Sequence, residues 1–64
     1  MTLYYRIRLK EDKREGGYVV TSPHVRLKGL ATAGDTQEEA IKNAYDAASL
    51  LLNLSRDYFA LILK

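Results

Sequence analysis

Gly34-Asp35-Thr36-Gln37-Glu38-Glu39-Ala40 is the stretch that decides the fold, because it has the sequence signature of a helix N-terminus. Thr36 followed three residues later by Glu39 forms a capping box, in which the threonine hydroxyl accepts a hydrogen bond from a first-turn backbone amide. Glu38 and Glu39 also place negative charge where the helix dipole favours it. The stretch therefore predicts that a helix begins directly after Thr36.

The residues that follow repeat with the period of an amphipathic helix of about 17 residues, which we expect to lie on one face of a sheet. One arc of this helix is apolar and rich in alanine, which allows a close approach to the sheet: Ala40, Ile41, Ala44, Ala47, Ala48, Leu51 and Leu52. The opposite arc is polar: Glu38, Lys42, Asp46, Ser49 and Asn53. Leu50 falls on the polar side, where it is either an ordinary exposed leucine or, with Leu54, part of a contact between subunits.

Upstream of Gly34, three apolar segments read as strands. In residues 3–10, Leu3, Tyr5, Ile7 and Leu9 face one way, and Tyr4, Arg6, Arg8 and Lys10 face the other. Residues 11–17 form a polar hairpin loop that ends in two glycines, and residues 18–22 form a return strand that stops at Pro23. Residues 30–33 make a short third strand. Short connections between successive strands predict an antiparallel meander.

The C-terminal segment, residues 58–64, has two interpretations. As a helix, it would continue the apolar stripe through Tyr58, Phe59 and Ile62; as a strand, it would place Phe59, Leu61 and Leu63 on one apolar face. The strand is slightly favoured, and in either case such an apolar segment packs on its own core or on a partner. The candidate contacts between copies are Leu50, Leu54, Phe59, Leu61 and Leu63. The predicted fold class is α+β: a three-stranded antiparallel meander with one helix on one face (β-β-β-α) and a short C-terminal strand.

Composition bounds what the chain can be. Its 64 residues, 47% apolar and 28% charged, predict one small folded domain over residues 1–64. The absence of cysteine excludes disulfides, thiolate zinc sites and a cysteine nucleophile. The stability of a chain this short, without disulfides or a bound metal, often depends on association with other chains. We therefore expect a homodimer or a higher homo-oligomer. No apolar run reaches about 18 residues and no signal-peptide core is present, so we expect a cytoplasmic protein without a membrane segment.

The polar residues do not form a recognisable catalytic or metal-binding pattern. His24 is the single histidine and has no nucleophile at a useful spacing, while Asp35 is more simply explained as an alternative helix cap. Glu38 and Glu39 are adjacent and point to different parts of the helix surface. We therefore expect no catalytic residue, no metal site, no cofactor and no enzymatic activity.

One strand face carries a different possibility. Tyr4, Arg6, Arg8 and Lys10 combine an aromatic ring that can stack on a base with cations that can follow phosphates, which is the pattern of a nucleic-acid surface. The more ordinary interpretation is a solvated sheet face whose long side chains cover apolar surface. A small nucleic-acid-binding protein using this face is the alternative function.

The order of these signals resembles the HicB-like antitoxin family. A Gly17-Tyr18-Val19 strand ends at a proline, and a Thr-x-Gly-Asp-Thr-x-Glu-Glu-Ala segment, Thr32–Ala40 here, enters an alanine-rich helix. The resemblance covers about residues 3–54. It implies a truncated ribonuclease-H-like fold, with a three-stranded antiparallel sheet and a helix on it. It also implies a non-catalytic module that binds and covers a small, basic, RNA-cleaving toxin of the HicA type.

The chain departs from the family pattern in two places. The loop from Pro23 to Leu30 is two residues longer than the family's and is basic where an acidic residue is common. Only ten residues follow position 54, so we expect none of the added DNA-binding modules that many family members carry. The resemblance implies that this loop contributes to toxin contact. The candidate partner-binding residues are His24, Val25, Arg26, Leu27 and Lys28.

Overall fold

The alternating N-terminal segment forms the longest strand of a four-stranded sheet. The computed structural model describes residues 2–63. Its elements are β1 (Leu3–Glu11), β2 (Tyr18–Thr21), β3 (Ala31–Gly34), α1 (Gln37–Leu52) and β4 (Phe59–Leu63), with 3-10 turns at Val25–Leu27 and Arg56–Tyr58. The strand order is β3-β2-β1-β4. The predicted α+β class, with a meander, one helix and a C-terminal strand, is confirmed.

The sheet combines antiparallel and parallel pairing. β1 pairs antiparallel with β2, and β2 pairs antiparallel with β3, as the short connections predicted. β4 pairs parallel with β1, in a register that sets Leu3 opposite Phe59 and Ile7 opposite Leu63. Residues 59–63 are therefore a strand, not a continuation of the helix. β3 and β4 run in the same direction at opposite edges of the sheet, and α1 connects them across one face.

The capping box sets where α1 begins. The Thr36 side chain accepts a hydrogen bond from the Glu39 backbone amide at 3.1 Å, and a Glu39 carboxylate oxygen accepts one from the Asp35 amide at 3.3 Å. These bonds satisfy amides that have no partner inside the helix. The helix ends at Asn53, whose left-handed backbone (φ 55°) stops the chain from continuing in the helical direction.

The core lies between α1 and one face of the sheet. The helix contributes Ala40, Ala44 and Ala48, all fully buried, and Leu52. The remaining buried side chains come from strands and loops: Tyr5, Ile7, Val20, Leu27, Leu30 and Phe59. Because three of the four buried helical residues are alanines, most of the apolar volume comes from the sheet and its connections.

Two residues expected in the core lie at its margin. Leu3 and Leu51 are both exposed: Leu3 is the first residue of β1, and Leu51 points to a different side of the helix from its buried neighbour Leu52. Leu52 takes the buried position at the end of the helix. The third strand also begins one residue later than predicted, at Ala31, because the Leu30 amide donates to the Leu27 carbonyl at 2.9 Å in the preceding turn.

The start of the helix lies very close to Gly34, the last residue of β3. A Cβ added at Gly34 would lie 2.8 Å from the Glu39 carbonyl carbon and closer still to the Ala40 amide nitrogen. Both of these atoms are backbone and cannot move without displacing the first turn of α1. Glycine at this position is therefore a packing requirement.

Gly34→Ala is expected to destabilise the fold by about 2 kcal/mol, because overpacking against backbone forces the helix away from the sheet. Gly29→Ala is the control, since its Cβ would meet nothing within 4 Å and only its positive φ of 92° is strained. Strain alone should cost the control about 1 kcal/mol, less than the clash at Gly34. Urea unfolding measures both variants, and an equal loss in the two would contradict the close approach.

Candidate partner-binding surface

The loop between β2 and β3, residues 22–30, is fixed to the core at two points. Leu27 is fully buried and Leu30 is nearly so, and both belong to the main hydrophobic cluster. Leu27 was a candidate partner contact, and the structure corrects that prediction: its side chain anchors the loop and offers no surface to a partner. Burying these two leucines keeps the loop in one conformation.

Polar contacts fix the start of the same loop. The Ser22 hydroxyl donates to the Arg6 carbonyl at 2.5 Å and accepts from the His24 amide at 3.1 Å. The His24 ring nitrogen Nδ1 in turn accepts from the Arg26 amide at 3.1 Å. The His24 ring also meets the Tyr5 ring edge-on, with 4.8 Å between centroids. His24 is thus partly buried, and not exposed as the sequence suggested; it positions the loop.

The anchored loop presents three of the predicted contact residues to solvent. Val25 is 79% exposed, which is unusual for a β-branched apolar side chain, and Arg26 and Lys28 are exposed on the same loop. Loops held on a rigid scaffold are common sites of recognition. Because the loop backbone is already ordered, the loop loses little conformational entropy when a partner binds.

The face of the sheet that points away from α1 is uncovered. The structure places Tyr4, Arg6, Arg8 and Lys10 on this open face, all four exposed, as the alternation predicted. The paired positions of the neighbouring strands complete the open face: Val19, Thr21, Ala31, Ala33, Ala60 and Ile62. None of these ten strand positions carries an acidic residue.

The open face and the β2–β3 loop meet in a shallow groove. Its lining residues are Tyr4, Arg6, Pro23, His24 and Ile62, and it encloses about 400 Å³. Sequence reasoning treated the loop and the strand face as separate candidates, whereas the structure makes them neighbours. The pairing of Ser22 with the Arg6 carbonyl creates this continuity, and no local sequence signal reveals it.

The candidate contacts between copies divide into exposed and buried residues. Leu50 is 84% exposed, Leu63 is also exposed, and Leu54 and Leu61 are partly buried. Phe59 is only 3% exposed, which corrects its assignment as a contact between copies. Its position at the start of β4, opposite Leu3, directs the ring into the protein's own core.

Tyr45 is a residue that sequence reasoning missed. The Tyr45 ring stacks on the Phe59 ring with 5.7 Å between centroids. The Arg56 guanidinium lies 5.0 Å from the centre of the Tyr45 ring. The Tyr45 hydroxyl accepts a hydrogen bond from the Leu61 amide at 3.0 Å, and so provides a partner for a backbone amide of the edge strand β4. The position of Tyr45 beside the apolar stripe of α1 could have indicated a packing role. Its partners Phe59 and Leu61 could not be identified, because they lie in a different element.

The described residues offer neither a metal-binding cluster nor a membrane-spanning helix. No group of three or more His, Asp or Glu residues comes together within residues 2–63. Over the same range, no helix is long and apolar enough to cross a bilayer.

Comparison of the chain with models of protein families, with curated proteins and with solved structures gives no match. The resemblance to the HicB-like family therefore stays a prediction from the sequence, carried chiefly by residues Thr32–Ala40.

Ser22→Ala is expected to loosen the loop, because it removes the hydroxyl that bridges Arg6 and His24. The loss of stability should be about 1 kcal/mol, and the amides of Arg26 and Leu27 should exchange with solvent several-fold faster. Ser55→Ala, which removes a capping hydroxyl from the turn before β4, is the matched control. If both variants leave exchange in the loop unchanged, Ser22 does not hold it.

Proposed function

We propose that the chain is a non-catalytic protein-binding module that acts as an antitoxin of the HicB-like class. It covers the surface of a small RNA-cleaving toxin of the HicA type, or of a similar small partner, and so blocks access to that partner's substrate. The β2–β3 loop supplies the contact, and exposed residues of α1 and β4 join two copies of the module.

The observation that carries this proposal is the balance between exposed and buried apolar side chains. Among the described residues, eight large hydrophobic side chains are exposed, whereas seven large ones (Tyr5, Ile7, Val20, Leu27, Leu30, Leu52 and Phe59) are buried. The exposed set is Leu3, Tyr4, Val25, Leu50, Leu51, Tyr58, Ile62 and Leu63. Single exposed leucines are normal, but such a proportion on so small a domain indicates surfaces that another protein covers.

The loop is the best-ordered part of that exposed surface. Val25 projects from a turn whose backbone is fixed by His24 and by the buried Leu27. A rigid apolar side chain flanked by Arg26 and Lys28 favours a contact with an apolar centre and a polar rim. Two cations do not attract a basic toxin at long range, so this contact depends on shape and apolar burial and should resist salt.

Self-association is assigned to a different part of the molecule. Leu50 and Leu54 lie near the C-terminal end of α1, and Leu61 and Leu63 lie on β4 at the edge of the sheet. None of these four residues belongs to the loop. Loss of self-association and loss of partner binding can therefore be separated by mutation.

The test is capture of partners by the tagged chain from its own cells at low and at high salt. We expect a small basic protein in a fixed ratio at both salt concentrations. That protein, once purified, should cleave RNA, and the chain should inhibit the cleavage at equimolar concentration. Capture of nothing that cleaves RNA contradicts the proposal.

Val25→Asp is expected to reduce partner binding at least tenfold without a change in melting temperature, because it places a charge at the centre of an apolar contact. Leu50→Asp is the matched control, since it changes an equally exposed apolar residue outside the loop. The control should retain the partner and lose self-association, measured by sedimentation. Equal loss of the partner in both variants would remove the loop from the contact.

A further inference from the structure

We propose that the open face of the sheet is a binding site for single-stranded nucleic acid, with the strand lying along β1. This site lies on the far side of the sheet from α1 and uses none of Val25, Arg26 and Lys28. The inference does not rest on the proposed antitoxin function.

Charge is distributed unevenly between the two sides of the sheet. Three cations, Arg6, Arg8 and Lys10, stand in one row on the open face, and no acidic residue occupies any of its ten strand positions. The exposed acids of the helix, Glu38 and Asp46 among them, belong to the layer on the other side of the sheet. A polyanion therefore meets more favourable charge on the open face than on the helical side.

The side chains of that row are evenly spaced. Side chains at alternate positions of a strand are about 6.7 Å apart and lie on a nearly straight line. Successive phosphates of a duplex strand wind around the helix axis and so leave such a line. An extended single strand can keep its successive phosphates close to the line. The row from Arg6 to Lys10 thus fits about three successive phosphates of a single strand.

An aromatic ring stands at one end of the row. Tyr4 is 65% exposed on the same face, directly before Arg6 in the alternation. Bases stack on exposed aromatic rings with little dependence on sequence. The groove between Tyr4, Ile62 and the β2–β3 loop leaves room beside the ring for a base.

The strand positions that flank the row carry no charge. They are Val19, Thr21, Ala31, Ala33, Ala60 and Ile62, so the three cations supply all the side-chain charge on the open face. A row of long cationic side chains can contact the phosphates of a flexible nucleic-acid strand without displacing any part of the fold. One aromatic ring and three cations predict weak, sequence-tolerant binding with a Kd of about 10⁻⁴ to 10⁻⁶ M.

The experiment measures fluorescence anisotropy of a labelled oligouridine and its deoxy equivalent with the full chain over a range of salt. We expect binding of both, with a slope of log K against log salt of about −2, as three phosphate contacts imply for a single strand. A blunt RNA duplex should bind at least tenfold more weakly. A flat salt dependence, or a duplex bound as well as the single strands, overturns the proposal.

Matched variants separate the open face from net charge. The triple variant Arg6→Gln, Arg8→Gln, Lys10→Gln should lose at least tenfold in affinity and flatten the salt slope. The control Lys13→Gln, Arg14→Gln, Lys28→Gln removes the same charge from the hairpin tip and the loop, and should lose no more than about twofold. Equal losses would show attraction by net charge alone and contradict a site on the open face.

Two further variants complete the test. Tyr4→Ala should weaken binding about five-fold or more, because stacking on one base is lost. Polyglutamate bound as tightly as oligouridine, with no effect of Tyr4→Ala, would show a general anion surface and overturn the assignment to nucleic acid. Val25→Asp should leave oligouridine binding unchanged, so failure of this site and failure of the proposed function remain distinguishable. Circular dichroism and thermal melting confirm that each variant is folded.

Discussion

The close contact between the start of α1 and the end of β3 is the constraint on which the rest of the structure depends. Gly34 leaves no side chain between the strand and the Ala40 backbone, and Ala44 and Ala48 continue the same small-residue contact along the helix. The helix is thereby held against one face of the sheet, and within residues 2–63 no second layer covers the other face. The other face stays open and carries the row of cations on β1.

The same small residues explain why the connections are so well ordered. Alanines fill little volume, so a core built on them needs large side chains from elsewhere. Leu27 and Leu30 supply this volume from the β2–β3 loop, and Phe59 supplies it from the start of β4. A loop that contributes to the core cannot move freely, and its remaining side chains, Val25 above all, are held in solvent.

The parts of the fold that local sequence determines were predicted well. The capping box at Thr36 and the alternation in β1 depend on neighbouring residues, and both are present as expected. The role of Leu27 could not be read from a segment rich in polar residues, because its burial depends on α1. The parallel register of β4 on β1 joins residues more than fifty positions apart, and no local periodicity specifies such a pairing.

The central claim is that one helix is seated on one face of a four-stranded sheet and leaves the other face open. A two-dimensional NOE spectrum of the labelled protein tests it most directly. The account predicts strong cross-peaks between the Gly34 α protons and the Ala40 amide, and between the rings of Tyr45 and Phe59. Cross-peaks that join residues of α1 to Arg6 or Arg8 side chains would place the helix on the open face and contradict the account.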